Sequence, residues 1–175
     1  MVKLSRRLSQ IAAFVPHGST LADIGTDHAL LPVYLVEHEI IRRAVAGELN
    51  EGPYEAARQQ VLTAGLTQRI DVRRGDGLSV IMPGEVDTVT IAGMGGALIT
   101  EILNAGLPRL KGVDTLILQP NVAEDAVRRW LLEHDYVLVE EAILTEDGVT
   151  YEILHAKHAR IAPITNDQVY KMRRL

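Results

Sequence analysis

The chain of 175 residues contains no cysteine, which excludes a disulfide framework and any thiolate metal site. Aromatic residues are scarce, at 4 %, with a single Trp and a single Phe. A chain that is 47 % hydrophobic must then build an aliphatic core, as in a parallel sheet covered by helices. No apolar run approaches the length of a membrane span, and no leader is expected before the first helix, so the sequence reads as a soluble cytoplasmic protein. Basic charge is not in excess: the formal net charge is −5. A nucleic-acid partner would have to be held by local basic patches rather than by the global field. There is no internal repeat, and the length suits one domain. The G-x-G-x-x-G spacing is also missing, which weakens the reading as an NAD dehydrogenase.

What is present is organised around Leu21-Ala22-Asp23-Ile24-Gly25-Thr26-Asp27-His28-Ala29. It reads as an apolar strand running into a glycine turn and then a helix, the first half of a nucleotide-binding α/β unit. Asp23 closes the strand, and Gly25 permits close approach of a ligand to the main chain. A carboxylate with one glycine suits a nucleoside ligand without a pyrophosphate, for which S-adenosylmethionine (SAM) is the obvious candidate. The alternative is an ordinary strand-to-helix turn capped by Asp27. Pro32 cannot lie deep in a helix, so the helix is predicted to start near it, leaving residues 26–31 as a shaped loop.

Around this unit the pattern alternates. A helix is predicted over 3–15, with Lys3, Arg6 and Arg7 on a face that could meet phosphate or water. Strands are predicted at 20–24, 43–48, 70–73, 86–91 and 115–118, with helices at 53–64, 97–103 and 122–134 between them. Two further strands, 136–144 and 150–155, are joined by a link whose Asp147-Gly148 signals a hairpin. Glu48 ends the second strand about twenty-five residues after Asp23, the place of a carboxylate that bonds ribose hydroxyls. Asp76 stands between Gly75 and Gly77, placed to accept from an adenine amine or to shape a turn. The fourth strand ends Ala92-Gly93-Met94-Gly95-Gly96. Three glycines so close together point to contact between main chain and ligand more than to packing alone.

Five parallel strands with intervening helices and then a hairpin form the order of a class I SAM-dependent methyltransferase, a Rossmann-like α/β fold with a seven-stranded sheet. The wording Lys3-Leu4-Ser5-Arg6-Arg7-Leu8, residues 22–32, Gly75-Asp76-Gly77-Leu78, residues 91–96 and Leu116-Ile117-Leu118-Gln119-Pro120-Asn121 resembles the TrmK family across about residues 3–156. The family consists of bacterial methyltransferases acting on ring nitrogen 1 of adenosine 22 in tRNA. The resemblance implies SAM as cofactor, S-adenosylhomocysteine as product, tRNA as partner, no metal, and a monomer or weak dimer. It also implies a helical domain after the catalytic one. Here only about twenty residues follow the last strand, so 1–158 is read as the catalytic domain and 159–175 as a short basic tail.

The cofactor set expected at the strand ends is Asp23, Gly25, Thr26, Asp27, His28, Glu48, Leu49, Asp76, Gly77, Ala92, Gly93, Met94 and Gly95. Asp27 and His28 are the candidates closest to the transferring methyl, and Arg6, Arg7, Gln119, Pro120 and Asn121 those for RNA. Adenine nitrogen 1 has a free lone pair and needs no base to remove a proton. The glycine run fits this, because it stands where amine methylases carry an Asn- or Asp-Pro-Pro-aromatic motif. A methyltransferase for another substrate and a non-catalytic SAM- or nucleotide-binding module are the competing readings.

Overall fold

A computed structural model describes residues 1–161. The elements follow in the order α1 (Arg6–Phe14), β1 (Thr20–Ile24), α2 (Leu30–Glu37), β2 (Arg43–Glu48), α3 (Glu51–Thr63), β3 (Ile70–Arg74), β4 (Thr88–Met94), α4 (Gly96–Ala105), β5 (Thr115–Pro120), α5 (Glu124–Glu133), β6 (Tyr136–Glu146) and β7 (Val149–His158). They form one seven-stranded sheet in the order β3-β2-β1-β4-β5-β7-β6. The first five strands are parallel, and β7 inserts antiparallel between β5 and β6.

Side-chain alternation along the strands separates two cores. Ala22, Ile24, Val89, Ile91, Leu116 and Leu118 face Ile99, Leu103, Val127 and Trp130 of α4 and α5. Leu21, Ala44, Ala46, Ile117 and Ile153 face Leu8, Ile11, Leu35, Ala57 and Val61 of α1, α2 and α3. Helices α1 and α5 bury one apolar stripe each, α2 is buried over most of its surface, and the central strands are covered on both faces. The strand order reverses between β1 and β4, so their carboxyl ends leave the crevice in which such sheets take ligands.

Several boundaries depart from expectation, each for a local reason. Helix α1 starts at Arg6 because Ser5 caps it, accepting from the Leu8 amide at 3.1 Å. Lys3 therefore precedes the helix and does not share a helical face with Arg6 and Arg7. Helix α2 starts at Leu30, which puts Pro32 in its first turn. Strand β4 begins two residues later than expected and runs through Met94, because a bulge at Gly93 lets it continue past Ala92. The hairpin link contracts to Asp147 and Gly148, both at positive φ, the conformation of a two-residue hairpin turn. The tail residues Lys171, Arg173 and Arg174 lie outside the described residues.

Candidate active site

The turn after β1 is built around a buried carboxylate. Asp23 lies on the α1–α2 side of the sheet, where Thr90 of β4 donates to Oδ1 at 2.7 Å and Thr26 to Oδ2 at 2.8 Å. No cation pairs with it among the described residues. Burial pushes its pKa up to about 7; the two hydroxyl bonds oppose the shift, and the charges of Glu48 and Asp27 add to it. Gly25 follows at φ +69°, and its amide and that of Thr26 donate to the Gly47 carbonyl. Asp27, His28 and Ala29 then adopt three consecutive left-handed conformations, with φ 46°, 58° and 55°. Such backbone costs about 1–3 kcal/mol per non-glycine residue and concentrates at functional sites. The turn is held from outside: Glu48, at the end of β2, accepts from the Asp27 amide at 3.0 Å. His28 Nδ1 lies 2.9 Å from Asp27 Oδ1, and both side chains are exposed. Ala29 occupies the helix cap with no side-chain cap bond, so Asp27 does not cap α2.

The other wall rises from β4, β5 and α1. Gly93 sits at φ +76° in the bulge, and its amide donates to Oε1 of the buried Gln119 at 2.9 Å. Arg7 Nη1 donates to the same oxygen at 2.9 Å, and its guanidinium lies over the Tyr151 ring, 5.6 Å from the centroid. Gln119 Nε2 donates onward to Asn121 Oδ1 at 3.0 Å. Helix α1 is fixed in this place by the hairpin. Glu146 accepts from the Arg6 and Arg7 amides at 3.0 and 3.4 Å, and Arg6 Nη1 donates to the Thr145 carbonyl at 2.7 Å.

Between these walls lies a cavity of about 560 Å³ lined by Arg7, Asp23, Gly25, Thr26, Asp27, His28, Glu48, Ala92, Gly93 and Met94, with Gly52, Pro53 and Ala56 of α3 along one side. This is the volume of a pocket for a small-molecule ligand. Residues 4–154 match the family described as Methyltransferase domain. The curated tRNA (adenine(22)-N(1))-methyltransferase of Bacillus subtilis strain 168 is 51 % identical over 156 residues, covering 89 % of this chain and 66 % of the relative. The B. subtilis m1A22 tRNA methyltransferase TrmK superposes with a TM-score of 0.88 at 47 % identity, over 95 % of this chain and 73 % of that one. The chain belongs to the TrmK family. A Streptococcus pneumoniae relative in complex with S-adenosyl-L-methionine is 42 % identical, with a TM-score of 0.87 over 98 % of this chain and 87 % of that one. The chain spans just under two thirds of the curated relative's length.

Not every residue expected at the site of this TrmK member reaches the cavity. Asp76 and Gly77 line a separate hollow of about 540 Å³ with Leu98, Glu101, Ile102 and Arg109. Leu49 is exposed, and neither it nor Gly95 lines the cavity. The glycine run divides into three cases. Gly93 needs its positive φ, a Cβ on Gly95 would make only ordinary contact with Val122 at 3.5 Å, and one on Gly96 would strike the Ala123 carbonyl at 2.1 Å. Arg6 and Arg7, expected together at RNA, point to different places. Arg6 is tied to the hairpin, and Arg7 turns inward to line the cavity. Pro120, which is buried, and Asn121 do not line the cavity; the Asn121 backbone amide donates at 2.8 Å to the carbonyl of Met94, which does. The α3 residues were missed; the small residues Gly52 and Ala56 with Pro53 in the first turns of α3, shortly after the acidic strand end, were the available signal. Among the described residues no helix is long and apolar enough to cross a membrane, and no three His, Asp or Glu side chains group to hold a metal.

Proposed function

We propose that this chain is the catalytic part of a SAM-dependent tRNA methyltransferase that acts on ring nitrogen 1 of an adenosine, position 22 by the name of its B. subtilis relative. One observation carries the reading. A single cavity at the sheet's switch point unites Asp23, Gly25, Glu48 and Gly93, while the end of β4 offers no side chain that could accept a proton from an amine. SAM fits this lining. It has a cationic ammonium and sulfonium, an anionic carboxylate and a ribose diol. The cavity has three carboxylates and one guanidinium. Asp23, buried without a cation, suits the cationic end, Glu48 the ribose hydroxyls, and Arg7 the carboxylate.

When bound, SAM supplies a methyl that the N1 lone pair can take as the carbon–sulfur bond breaks, moving the positive charge from sulfur to the adenine ring without loss of a proton. The protein's part is to hold nucleophile and methyl in line and to oppose no developing charge. Asp27 and His28 are proposed beside the methyl, where the Asp27 carboxylate favours the cationic product. The left-handed turn supports this role, since it projects both side chains into the same cavity that Gly93 lines. Transfer of labelled methyl to unmodified tRNA, with the modified position mapped, tests the proposal, together with calorimetry against SAM and NAD. Label at ring nitrogen 1 of adenosine 22 and heat with SAM only are the expected results. NAD binding, or label on another substrate alone, would overturn it.

A further inference from the structure

The bonds around Gln119 fix the orientation of a neighbouring side chain that the proposed chemistry has not used. The Gly93 amide and the Arg7 guanidinium can only donate, and both do so to one side-chain atom of Gln119. That atom is therefore the carbonyl oxygen, and the other, Nε2, is a donor. Nε2 lies 3.0 Å from the Asn121 side chain, so the Asn121 atom it meets is the carbonyl Oδ1. The orientation of Asn121 is settled in turn. Its oxygen accepts inward from Gln119, and its amide nitrogen, on an exposed residue and without a partner among the described residues, offers N–H donors. Asn121 neighbours the cavity without lining it: its backbone amide bonds the carbonyl of Met94, which does line it.

We infer that Asn121 reads the target base, donating a hydrogen bond to a ring-nitrogen acceptor of the adenine, N7 or N3, while N1 is presented to the methyl. The inference rests on the adenosine-N1 reading above. An asparagine free at both ends would pair the N6 amine and N7 together. The Gln119 bond takes one lone pair of the Asn121 oxygen and turns Nδ2 outward, so the contact this orientation offers is donation to a bare acceptor. Gln119 and Arg7 are then positioning residues for a contact they do not make.

The test compares the parent chain with Asn121→Asp, which keeps an acceptor toward Gln119 and removes the outward donors. Both are assayed on tRNA transcripts carrying adenosine, 7-deazaadenosine or 3-deazaadenosine at the methylated position. The ratio of parent to variant kcat/KM on each transcript cancels the analogue's own reactivity. On natural tRNA the variant is expected to lose at least about fivefold, the scale of one hydrogen bond, with KM for SAM and the melting temperature unmoved. On one deaza transcript, and only one, the ratio falls toward unity and names the acceptor. A ratio that stays undiminished on both analogues overturns the assignment, as does a variant equal to the parent on natural tRNA. If the parent transfers no methyl to tRNA, the functional reading itself fails and takes this contact with it.

Discussion

Asp23 stays protonated over a range in which an exposed aspartate is ionised, and this has a signed consequence. Its carboxyl is raised from 3.8 to about 7 in the folded chain. Between these values the folded state holds a proton that the unfolded state has released. Stability from this group is therefore fully present below about pH 4 and falls as pH rises to about 7. Asp23→Asn should remove that slope, so the stability difference between variant and parent, followed by denaturant unfolding without ligand, should change across pH 4–7 in the variant's favour. A pH-independent difference would contradict the shift. Glu48 has two tasks at one position, since the oxygen that accepts from Asp27 belongs to the carboxylate proposed for the ribose. Glu48→Ala should weaken SAM binding by about 1.5–3 kcal/mol in calorimetry. Unchanged affinity would remove the ribose assignment. That both carboxylates stand at strand ends was legible in the sequence, because a strand end is readable from apolar patterning. Arg7 was legible only as a charge. Its inward turn depends on Gln119, 112 residues away, and no local pattern encodes such a contact.

At the scale of elements, the same limit decides what the glycine run meant. Its density was visible, but its causes lie in different neighbours. Gly93 answers to the bulge, and Gly96 to the turn before α5, where Val122 accepts from the Gly96 amide at 2.8 Å and the Ala123 carbonyl leaves no room for a methyl. Gly96→Ala should therefore destabilise the α4–α5 contact by about 1–3 kcal/mol, as overpacking against backbone does. Gly95→Ala should leave the melting temperature near the parent's. Thermal denaturation of the pair separates them, and equal melting temperatures would refute the packing account. The strand order and the hairpin were likewise legible, from β-branched runs and Asp-Gly. The left-handed turn at Asp27 to Ala29 was foreseen only as an irregular loop forced by Pro32. Its first amide, that of Asp27, is held by Glu48 at the end of the neighbouring strand, a tertiary contact.

At the scale of the whole molecule, the proposed function requires an acidic chain to hold RNA. The net charge is −5, and three carboxylates line the cavity. The arginines nearest to hand are engaged. Arg6 is bonded to the hairpin, Arg7 faces the cofactor cavity, and Arg128 pairs with Glu141 and Glu152. Arg128 is thereby removed from the surface that could meet phosphate, and burial against two carboxylates leaves it little unspent charge. The remaining cations include Arg129, more than half exposed, and Lys171, Arg173 and Arg174 beyond the described residues. Each phosphate contact contributes about one unit to the salt dependence of binding. Arg7→Met should then weaken SAM binding while leaving the salt slope of tRNA binding unchanged, because Arg7 meets no phosphate. Replacing Lys171, Arg173 and Arg174 together by Ala should flatten the slope by up to about three units. Parent binding is expected to be weak, with Kd in the nonspecific range of about 10⁻⁴–10⁻⁶ M. A salt titration of tRNA binding for the parent and both variants settles the footprint. A flatter slope for Arg7→Met would return Arg7 to the RNA surface, and an unchanged slope for the triple variant would leave Arg129 on α5 as the next phosphate candidate.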